Sequence, residues 1–539
     1  MSVSQQSRCD VLVVGARTTG LMLAVRLARQ GLAVRIVDRS PGIDAHSRAT
    51  LLHSRSLELL DNLGLADEIA ANGQPLRGMR LFMDGQLVLE NRDPPVESAF
   101  PHGVSYSQAR IERLLEGRLA ALGVTVDRAC DLVGLDQDDA GVRARLRHAH
   151  GGTETLDAAY LVGCDGAHSA TRHLLGIGFP GAVSPHPYVV ADVVADNDAP
   201  SDAWFYFLHR AGSLILAILD GGRRQIIAPL APDHPTTGVP TLADIQALVD
   251  TRTGGNYRLS DPRWLAYFHI NYRVAERLRV GRAFLAGDAA HIHSPFAGHG
   301  MNTGMQDACN LAWKLTLAVR GRAAPALLDS YEAERLPVAQ GVVSATQRYT
   351  EPAETYPTMT ADERATILAG FRLDGDDLAA FRRNFEELDL DYGASPLCRD
   401  AAPTLAVDVR PGLEARNVAG LQHRGARCDL FQHLGGPHHC LMVFAGADPA
   451  AAAREADAAR QRHGAFMDVH LVARDAGGAA EAGLSVLADP DGALAQRYGM
   501  AAGGLYLVRP DGYVGYRAHD AAGLDDYVCD VLVTDLTAG

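Results

Sequence analysis

Residues 10–38 read DVLVVGARTTGLMLAVRLARQGLAVRIVD, which predicts a strand, a glycine turn, a helix and a second strand. Residues 10–14, with an apolar run at 11–14, have the length of a buried strand, and residues 20–29 repeat apolar side chains at helical spacing. Gly31 ends the helix, and residues 33–37 form the second strand, which closes on Asp38. A helical connection between two strands of one sheet makes them parallel, with a right-handed crossover. The chain therefore begins with an α/β unit.

The turn Gly15-Ala16-Arg17-Thr18-Thr19-Gly20 fits the pyrophosphate of a dinucleotide. A helix N-terminus offers free N–H groups and a positive dipole end to the phosphates. Gly15 allows the tight turn, and Gly20 allows the helix to pack closely on the strand. Arg17 replaces the usual middle glycine, so its side chain either turns outward or adds positive charge near the pyrophosphate. A plain tight turn is the alternative interpretation.

Asp38 strengthens the dinucleotide interpretation. An acidic residue about 20 residues after such a turn hydrogen-bonds a ribose hydroxyl. The alternative is a surface acid that caps the strand before Arg39 and Ser40. Together the turn and Asp38 predict a dinucleotide site.

Two later segments also place a glycine-containing turn between an apolar strand and a helix. They are Gly163-Cys164-Asp165-Gly166-Ala167-His168-Ser169-Ala170-Thr171-Arg172 and the run GDAAHIHSPFAGHGMN, residues 287–302. With the first turn, these segments resemble the fingerprints of the class A flavoprotein aromatic hydroxylases, the group of para-hydroxybenzoate hydroxylase and phenol hydroxylase. The resemblance covers residues 10–345. It implies an α/β fold with a Rossmann-like FAD-binding domain and an inserted, mostly antiparallel substrate sheet.

The resemblance also implies which residues bind FAD. Asp38 would hold the adenosine ribose, Arg48 would face the pyrophosphate or the flavin, and Gln108 would touch the FAD chain. Asp165 would serve both FAD and the nicotinamide nucleotide, and Asp288 would bond the ribityl or pyrophosphate portion. The full expected set is Gly15, Arg17, Thr19, Gly20, Asp38, Arg39, Arg48, Gln108, Asp165, Asp288, Gly300, Met301 and Asn302.

The last three residues of that set lie where a helix begins. Backbone N–H groups of Gly300, Met301 and Asn302 would face the pyrimidine edge of the flavin. A helix dipole stabilises the negative charge of reduced flavin at that edge.

Structural alternatives exist for several of these residues. Asp165 can be a turn acid at a helix start, Asp288 an N-cap, and His291 a satisfied core histidine, which is the interpretation we favour for His291. His293 and His299 lie near the expected flavin face or are exposed polar residues. Neither the 21 histidines nor the eight cysteines show metal-ligand spacing, since HExxH and CxxC are both absent, so no metal is expected.

The implied reaction uses NAD(P)H, with NADPH favoured, and O2. A flavin C4a-hydroperoxide would deliver oxygen to an activated aromatic ring, with polyketides among the candidate substrates, in a site that excludes water. Pro295 lies where the resemblance places a proline at the reacting edge of the flavin. Tyr206, His209 and His269 are the candidate substrate contacts. Trp204, Tyr206 and Leu208 share one strand face, Phe205 and Phe207 share the other, and only one of these faces can line the pocket.

The chain divides into three predicted domains. The FAD-binding domain is discontinuous and takes residues 1–175 and 281–400, and residues 176–280 form the substrate sheet. Residues 401–539 resemble the thioredoxin-like tail of larger members of the group, through Arg410-Pro411-Gly412 and the run VRPDGY at residues 508–513. That segment contains no CxxC, so dithiol redox chemistry is not expected there.

Composition limits the partners. Hydrophobic residues make up 47% of the 539 residues and charged residues 21%, which excludes global disorder. The 65 acidic residues against 50 basic ones give a net charge of −15, which disfavours nucleic acid. No targeting or membrane-spanning segment is visible, so we expect a cytoplasmic protein. Both a monomer and a homodimer are compatible with the sequence.

Other functions remain open at this point. A Baeyer–Villiger-type oxygenase acting on a polycyclic ketone would have the same fold, and product mass would separate the two reactions. A non-catalytic flavin- or ligand-binding protein would show no substrate-stimulated NADPH oxidation. An FAD reductase or oxidase of related fold would put no labelled oxygen into its product.

Overall fold

The computed structural model describes residues 8–46, 49–196, 202–324, 326–475 and 483–532. The chain forms two compact units. The first takes Met1–Val25, Val34–Ala308 and Leu336–Leu388. The second takes Arg26–Ala33, Cys309–Arg335 and Asp389–Gly539. The three-domain division stays a prediction.

The first unit contains both strands of the predicted α/β unit. The strand Arg8–Val14 runs parallel to both Val34–Asp38 and Thr153–Gly163, and the helix Thr18–Arg29 follows it. The strand order is Arg279–Val280, Ala283–Leu285, Thr153–Gly163, Arg8–Val14, Val34–Asp38 and Val126–Arg128, and the strands Val142–His148 and Cys130–Gln137 extend the sheet from Thr153–Gly163. The predicted α/β fold with a Rossmann-like unit is confirmed.

One register in this sheet positions the site. Val14 pairs with Gly163, and Gly163 pairs with Leu285, all in parallel strands. The three glycine-containing turns found in the sequence therefore leave neighbouring strands at the same edge of the sheet. Ligands of doubly wound folds bind at that edge, beyond the carboxyl ends of the strands.

A second sheet of the same unit is largely antiparallel. Its order is His291–Ile292, Arg258–Val274, Gly181–Asp196, Arg224–Pro229, Leu214–Ile218, Ala203–Leu208, Gly78–Met83 and Gln86–Arg92. Ala203–Leu208 pairs in parallel with Gly78–Met83, and the other pairs are antiparallel. The last two strands and His291–Ile292 come from outside residues 176–280, which the sequence reading did not anticipate.

The two faces of the second sheet have different neighbours. Phe205 and Phe207 pack with Ile245 of the helix Leu242–Thr253. Trp204 and Tyr206 lie on the opposite face, in the apolar cluster that includes Phe296. The predicted alternation along this strand is present, and the face of Trp204 and Tyr206 is the one associated with the 287–302 segment.

Smaller elements complete the first unit. The strands Leu51–Leu52, Gln74–Pro75 and Val104–Ser105 form a three-stranded sheet. Leu51 and Leu52 pair with the strand Val104–Ser105, and the next helix begins at Ser54. The other helices are Ser54–Asp61, Ala66–Asn72, Gln108–Ala121, Ala170–Leu174, Ala361–Phe371 and Gly375–Phe385, with 3-10 turns at Asp220–Gly222, Gly287–Ala289, Phe296–Gly298 and Tyr356–Thr358.

Two long helices, His299–Val319 and Asp329–Thr355, contribute residues to both units. No helix in the described ranges is long and apolar enough to cross a lipid bilayer.

The second unit has its own mixed sheet. Its order is Arg399–Asp400, Val514–Ala518, Gly504–Val508, His439–Phe444, Met467–Ala473, Ser485–Ala488, Leu421–His423 and Ala426–Cys428. Asp448 caps the start of the helix Pro449–His463, because its side chain accepts a hydrogen bond from the Ala451 N–H at 2.9 Å. Shorter helical segments lie at Leu430–His433, Ala493–Arg497, Leu524–Tyr527 and Val528–Leu532. The thioredoxin-like assignment of this region stays a prediction.

A fully buried charge cluster lies inside the second unit. Glu334 receives hydrogen bonds from Lys314 Nζ at 2.8 Å and from Arg509 Nη1 at 2.7 Å, and Arg509 also contacts Asp511. Burial lowers the pKa of Lys314 to about 8 despite its contact with Glu334. The charges of two cations and two carboxylates thus balance one another in a cluster that is buried away from water.

Candidate functional site

The first turn has no room for side chains at its two glycines. A Cβ at Gly15 would lie 2.3 Å from the Cys164 carbonyl oxygen, and one at Gly20 would lie 1.9 Å from the Gly15 carbonyl oxygen. Gly15 also has a φ of +103°, which disfavours other residues. The backbone therefore packs tightly at the start of the helix Thr18–Arg29, as a pyrophosphate-binding turn requires.

Asp38 fixes the shape of this turn. One carboxylate oxygen accepts a hydrogen bond from the Ala16 N–H at 2.6 Å, and the other accepts from the Ser40 N–H at 2.7 Å. Each oxygen has a second lone pair, so a ribose hydroxyl can still donate to Asp38. Arg39 is exposed beside it.

Arg17 is held by two carboxylates. Its guanidinium lies 3.2 Å from Asp44 and 3.6 Å from Glu112, and Gln108 Nε2 donates to Glu112 at 2.8 Å. Burial raises the pKa of Glu112, and the charge of Arg17 opposes that rise. Sequence reasoning missed Glu112, although the i, i+4 spacing from Gln108 was a signal for it. Arg48 lies outside the described residues.

The other two turns meet the first one. The Thr19 hydroxyl lies 2.6 Å from where a Cβ at Gly287 would be, and 2.3 Å from the corresponding position at Gly304. Cys164, which follows the strand Thr153–Gly163, lies against Gly15 and Gly20. The segments around residues 15–20, 163–165 and 287–304 therefore converge at one sheet edge.

Asp165 and Asp288 differ in their surroundings. Asp165 accepts hydrogen bonds from the Ser169 hydroxyl at 2.5 Å and from the Thr171 N–H at 3.0 Å. These bonds organise the start of the helix Ala170–Leu174, as the turn-acid interpretation expects. Asp288 is exposed in the 3-10 turn Gly287–Ala289.

The start of the helix His299–Val319 is anchored through Asn302. Its amide donates to the carbonyl oxygens of Leu51 at 2.9 Å and Gly298 at 2.7 Å, and its side-chain oxygen accepts from the His53 N–H at 3.0 Å. Met301 is buried, and Gly300 is half-buried. The Asn302 side chain thus positions the backbone expected to face the flavin.

Two consecutive buried glutamates lie near the start of this helix, and only Glu387 contacts the helix itself. Glu387 contacts His299 Nδ1 at 2.7 Å and also receives a hydrogen bond from Gln306 Nε2. Glu386 accepts from the Ser54 N–H at 2.8 Å and from Arg382 at 2.6 Å. Burial alone would raise the pKa of Glu386, but its hydrogen bonds and neighbouring positive charges hold it at about 2.

A buried group of possible metal ligands lies in this region. The ligand atoms of His53, His299 and Glu387 lie within 4.8 Å of one another. The two imidazoles stack with their planes 24° apart, whereas a shared ion would lie in the plane of each ring. We therefore interpret the group as a hydrogen-bonded cluster around the helix start.

The three histidines of the 291–299 segment differ in their partners. His291 Nε2 contacts Asp307 at 2.8 Å, and the same carboxylate oxygen accepts from the Gly287 N–H at 3.0 Å. These contacts fit the core-histidine interpretation of His291. His293 Nδ1 bonds the Ser294 carbonyl oxygen at 2.9 Å. Pro295 is half-buried and directly precedes the 3-10 turn Phe296–Gly298.

The candidate substrate contacts are not brought together. Tyr206 is half-buried on the face that carries Phe296. His209 accepts a hydrogen bond from the Ala211 N–H within its own turn, at 3.1 Å. His269 is exposed on the strand Arg258–Val274.

Sequence reasoning missed a polar group, Tyr188 with Glu354, on the face of the second sheet that carries Phe296. Tyr188 donates to Glu354 at 2.6 Å, and Ser184 donates to the same carboxylate oxygen at 2.6 Å. Burial, followed by the charge of Glu354, raises the pKa of Tyr188 far above its usual range. Tyr188 lies in the Phe296 cluster, with its ring 6.2 Å from that of Phe296.

Comparison with known proteins agrees with this geometry. Residues 8–346 match the FAD binding domain family. The chain is 34% identical to 6-methylpretetramide 4-monooxygenase of Streptomyces rimosus over 526 residues, which cover 94% of this chain and 90% of that protein. It is 34% identical to pentachlorophenol 4-monooxygenase of Sphingobium chlorophenolicum, over 64% of each chain.

Solved structures are similar over nearly the whole chain. The anhydrotetracycline hydroxylase OxyS of Streptomyces rimosus has a TM-score of 0.78 at 29% identity and covers 97% of this chain and 99% of its own. Aklavinone-11 hydroxylase, in a ternary complex with FAD and aklavinone, has a TM-score of 0.76 at 28% identity and covers 99% and 100%.

The turns, the sheet edge and these similarities define a flavoprotein. The chain belongs to the FAD binding domain family. Within that family it is a FAD-dependent monooxygenase of the aromatic hydroxylase class.

Proposed function

We propose that the protein hydroxylates a polycyclic phenol of the polyketide kind, with NAD(P)H and O2 as co-substrates. The observation that carries this proposal is the large apolar face beside the 287–302 segment. Its members are Tyr188, Val190, Trp204, Ile215, Ala217, Ile227, Ile270, Tyr272 and Phe296. The relatives named above act on 6-methylpretetramide and pentachlorophenol, as their names state, and a flat fused-ring substrate suits a face of this composition.

The site would hold FAD through the residues of the three turns. The tight turn at Gly15 and Gly20 would receive the pyrophosphate, Asp38 the ribose, and the helix start at Gly300 the flavin ring. When bound, FAD supplies hydride acceptance and oxygen activation, which side chains cannot provide. Asp165 and Asp288 stay candidates for contacts to the cofactor.

The second sheet would supply the rest of the chemistry. Its apolar face would exclude water and orient the substrate ring. Both effects would favour oxygen transfer to the substrate over unproductive loss of the activated oxygen. Pro295 and Phe296 join that face to the cofactor segment. Tyr206 would offer its hydroxyl group to a polar substituent of the substrate, whereas the hydroxyl of the buried Tyr188 already donates to Glu354.

Turnover with labelled oxygen tests the proposal. The purified protein is given NADPH and a panel of polycyclic and monocyclic phenols under 18O2. We expect a polycyclic phenol to stimulate NADPH oxidation and to gain one 18O atom with its ring system intact. A product with an inserted ring oxygen would instead identify a Baeyer–Villiger reaction, and stimulated oxidation without label in any product would refute oxygen transfer.

A further inference from the structure

The carbonyl oxygen of Ser294 determines which ring nitrogen of His293 carries the hydrogen atom. Nδ1 lies 2.9 Å from the Ser294 carbonyl oxygen. A carbonyl oxygen only accepts hydrogen bonds, so Nδ1 carries the hydrogen atom. Burial, followed by the charge of His291, lowers the pKa of His293 to about 3, so the ring is neutral. Nε2 therefore presents a bare lone pair.

That lone pair is buried and has no hydrogen-bond partner in the part of the chain that the structure describes. A buried polar atom normally has a hydrogen-bond partner, because burial without one costs free energy. The neighbouring histidines contact carboxylates, His291 at Asp307 and His299 at Glu387. His293 thus differs from both in keeping an acceptor available.

The position of this acceptor points to a bound molecule. The His293 ring lies 3.7 Å from where a Cβ at Gly300 would be, so it borders the first turn of the helix His299–Val319. That turn is expected to face the flavin. Phe296, three residues along, belongs to the apolar cluster that also contains Trp204 and Tyr188.

We propose that His293 Nε2 accepts a hydrogen bond from a donor on a ligand bound in this site. Two donors have the required chemistry: the N3–H of the flavin ring and a phenolic O–H of the substrate. A hydrogen bond from the flavin requires only that the protein binds FAD, whereas a hydrogen bond from the substrate rests on the proposed function. In either case His293 is a ligand-binding residue, and the exposed-residue alternative for it is excluded.

Two variants and two pairs of ligands separate the sources. His293→Phe keeps the ring and removes the acceptor, whereas His293→Gln keeps an acceptor. His150→Phe, at an exposed turn, is the matched control. Dissociation constants are measured for FAD and N3-methyl-FAD with apoprotein, and for a flavin-perturbing polycyclic phenol and its methyl ether with holoprotein.

We expect His293→Phe to weaken one of the unmethylated ligands by about ten-fold, the size of one ordinary hydrogen bond. The methylated form of that ligand should bind the wild type and the His293→Phe variant with equal affinity. The His293→Gln variant should restore most of the lost affinity for the unmethylated form. A ten-fold loss for FAD identifies the flavin N3–H, and one for the phenol identifies the substrate.

Other results overturn the proposal. Changes below two-fold for all four ligands would show that no ligand donates to His293. Equal losses for a ligand and its methylated form would show a steric effect. If no phenol perturbs the flavin of the wild type, the proposed function fails, and the FAD pair alone decides the role of His293. Should His293→Phe not fold, His293→Leu replaces it.

Discussion

The Asp38→Asn substitution tests whether the first turn is built around a carboxylate. Both oxygens of Asp38 accept backbone N–H groups, from Ala16 at 2.6 Å and Ser40 at 2.7 Å. An asparagine amide has one acceptor oxygen and one NH2 group, so one of these N–H groups would face another donor. The side chain is buried, so water cannot easily replace the lost bond.

The expected cost follows from those contacts. Hydrogen bonds to a charged group are worth about 1.5–3 kcal/mol each, so the apoprotein should lose about 2–3 kcal/mol of unfolding free energy. Urea unfolding of apoprotein measures this, with the exposed Asp233→Asn as control. If Asp38 also binds the ribose, FAD affinity should fall by about a further ten-fold or more beyond the stability loss. If the Asp38→Asn apoprotein is as stable as the control, the Asp38 carboxylate does not hold the first turn together.

Three further substitutions or conditions probe other parts of the structure. Gly20→Ala should abolish FAD binding, because its Cβ would lie 1.9 Å from a backbone oxygen, whereas Gly117→Ala, which has open space, should bind FAD normally by fluorescence titration. Glu334→Gln should destabilise the protein by about 3–5 kcal/mol in urea, because Lys314 and Arg509 would lose their shared buried carboxylate, and a loss below about 1 kcal/mol would contradict this. Glu386, whose pKa is about 2 against the usual 4.5, should contribute about 3 kcal/mol that is present above pH 5 and is lost as the pH falls towards 2. The unfolding free energy of Glu386→Gln should therefore depend less on pH than that of the wild type between pH 5 and 3.

The cofactor side of the fold was largely predictable from local sequence. The glycine turn, the strand ending at Asp38 and the alternation of Trp204 with Phe205 all depend on residues close together in the chain. Periodicity and turn chemistry act at that range. The convergence of the three turns followed because parallel strands share one carboxyl edge.

The supporting contacts could not be predicted in this way. Glu386 and Glu387 reach Ser54 and His299 across long stretches of chain, and no local pattern sets those pairings. The strands Gly78–Met83 and Gln86–Arg92 join the second sheet by a parallel pairing with Ala203–Leu208, which is equally remote in sequence. His209 and His269 were chosen by residue type alone, and the structure leaves one in its own turn and the other exposed.

The visible spectrum of the purified protein is the most direct test that residues 15–20, 163–165 and 287–302 together hold FAD. We expect absorbance bands of oxidised flavin and release of FAD, in about one equivalent per chain, on denaturation. A colourless protein that also fails to take up added FAD in a fluorescence titration would contradict it.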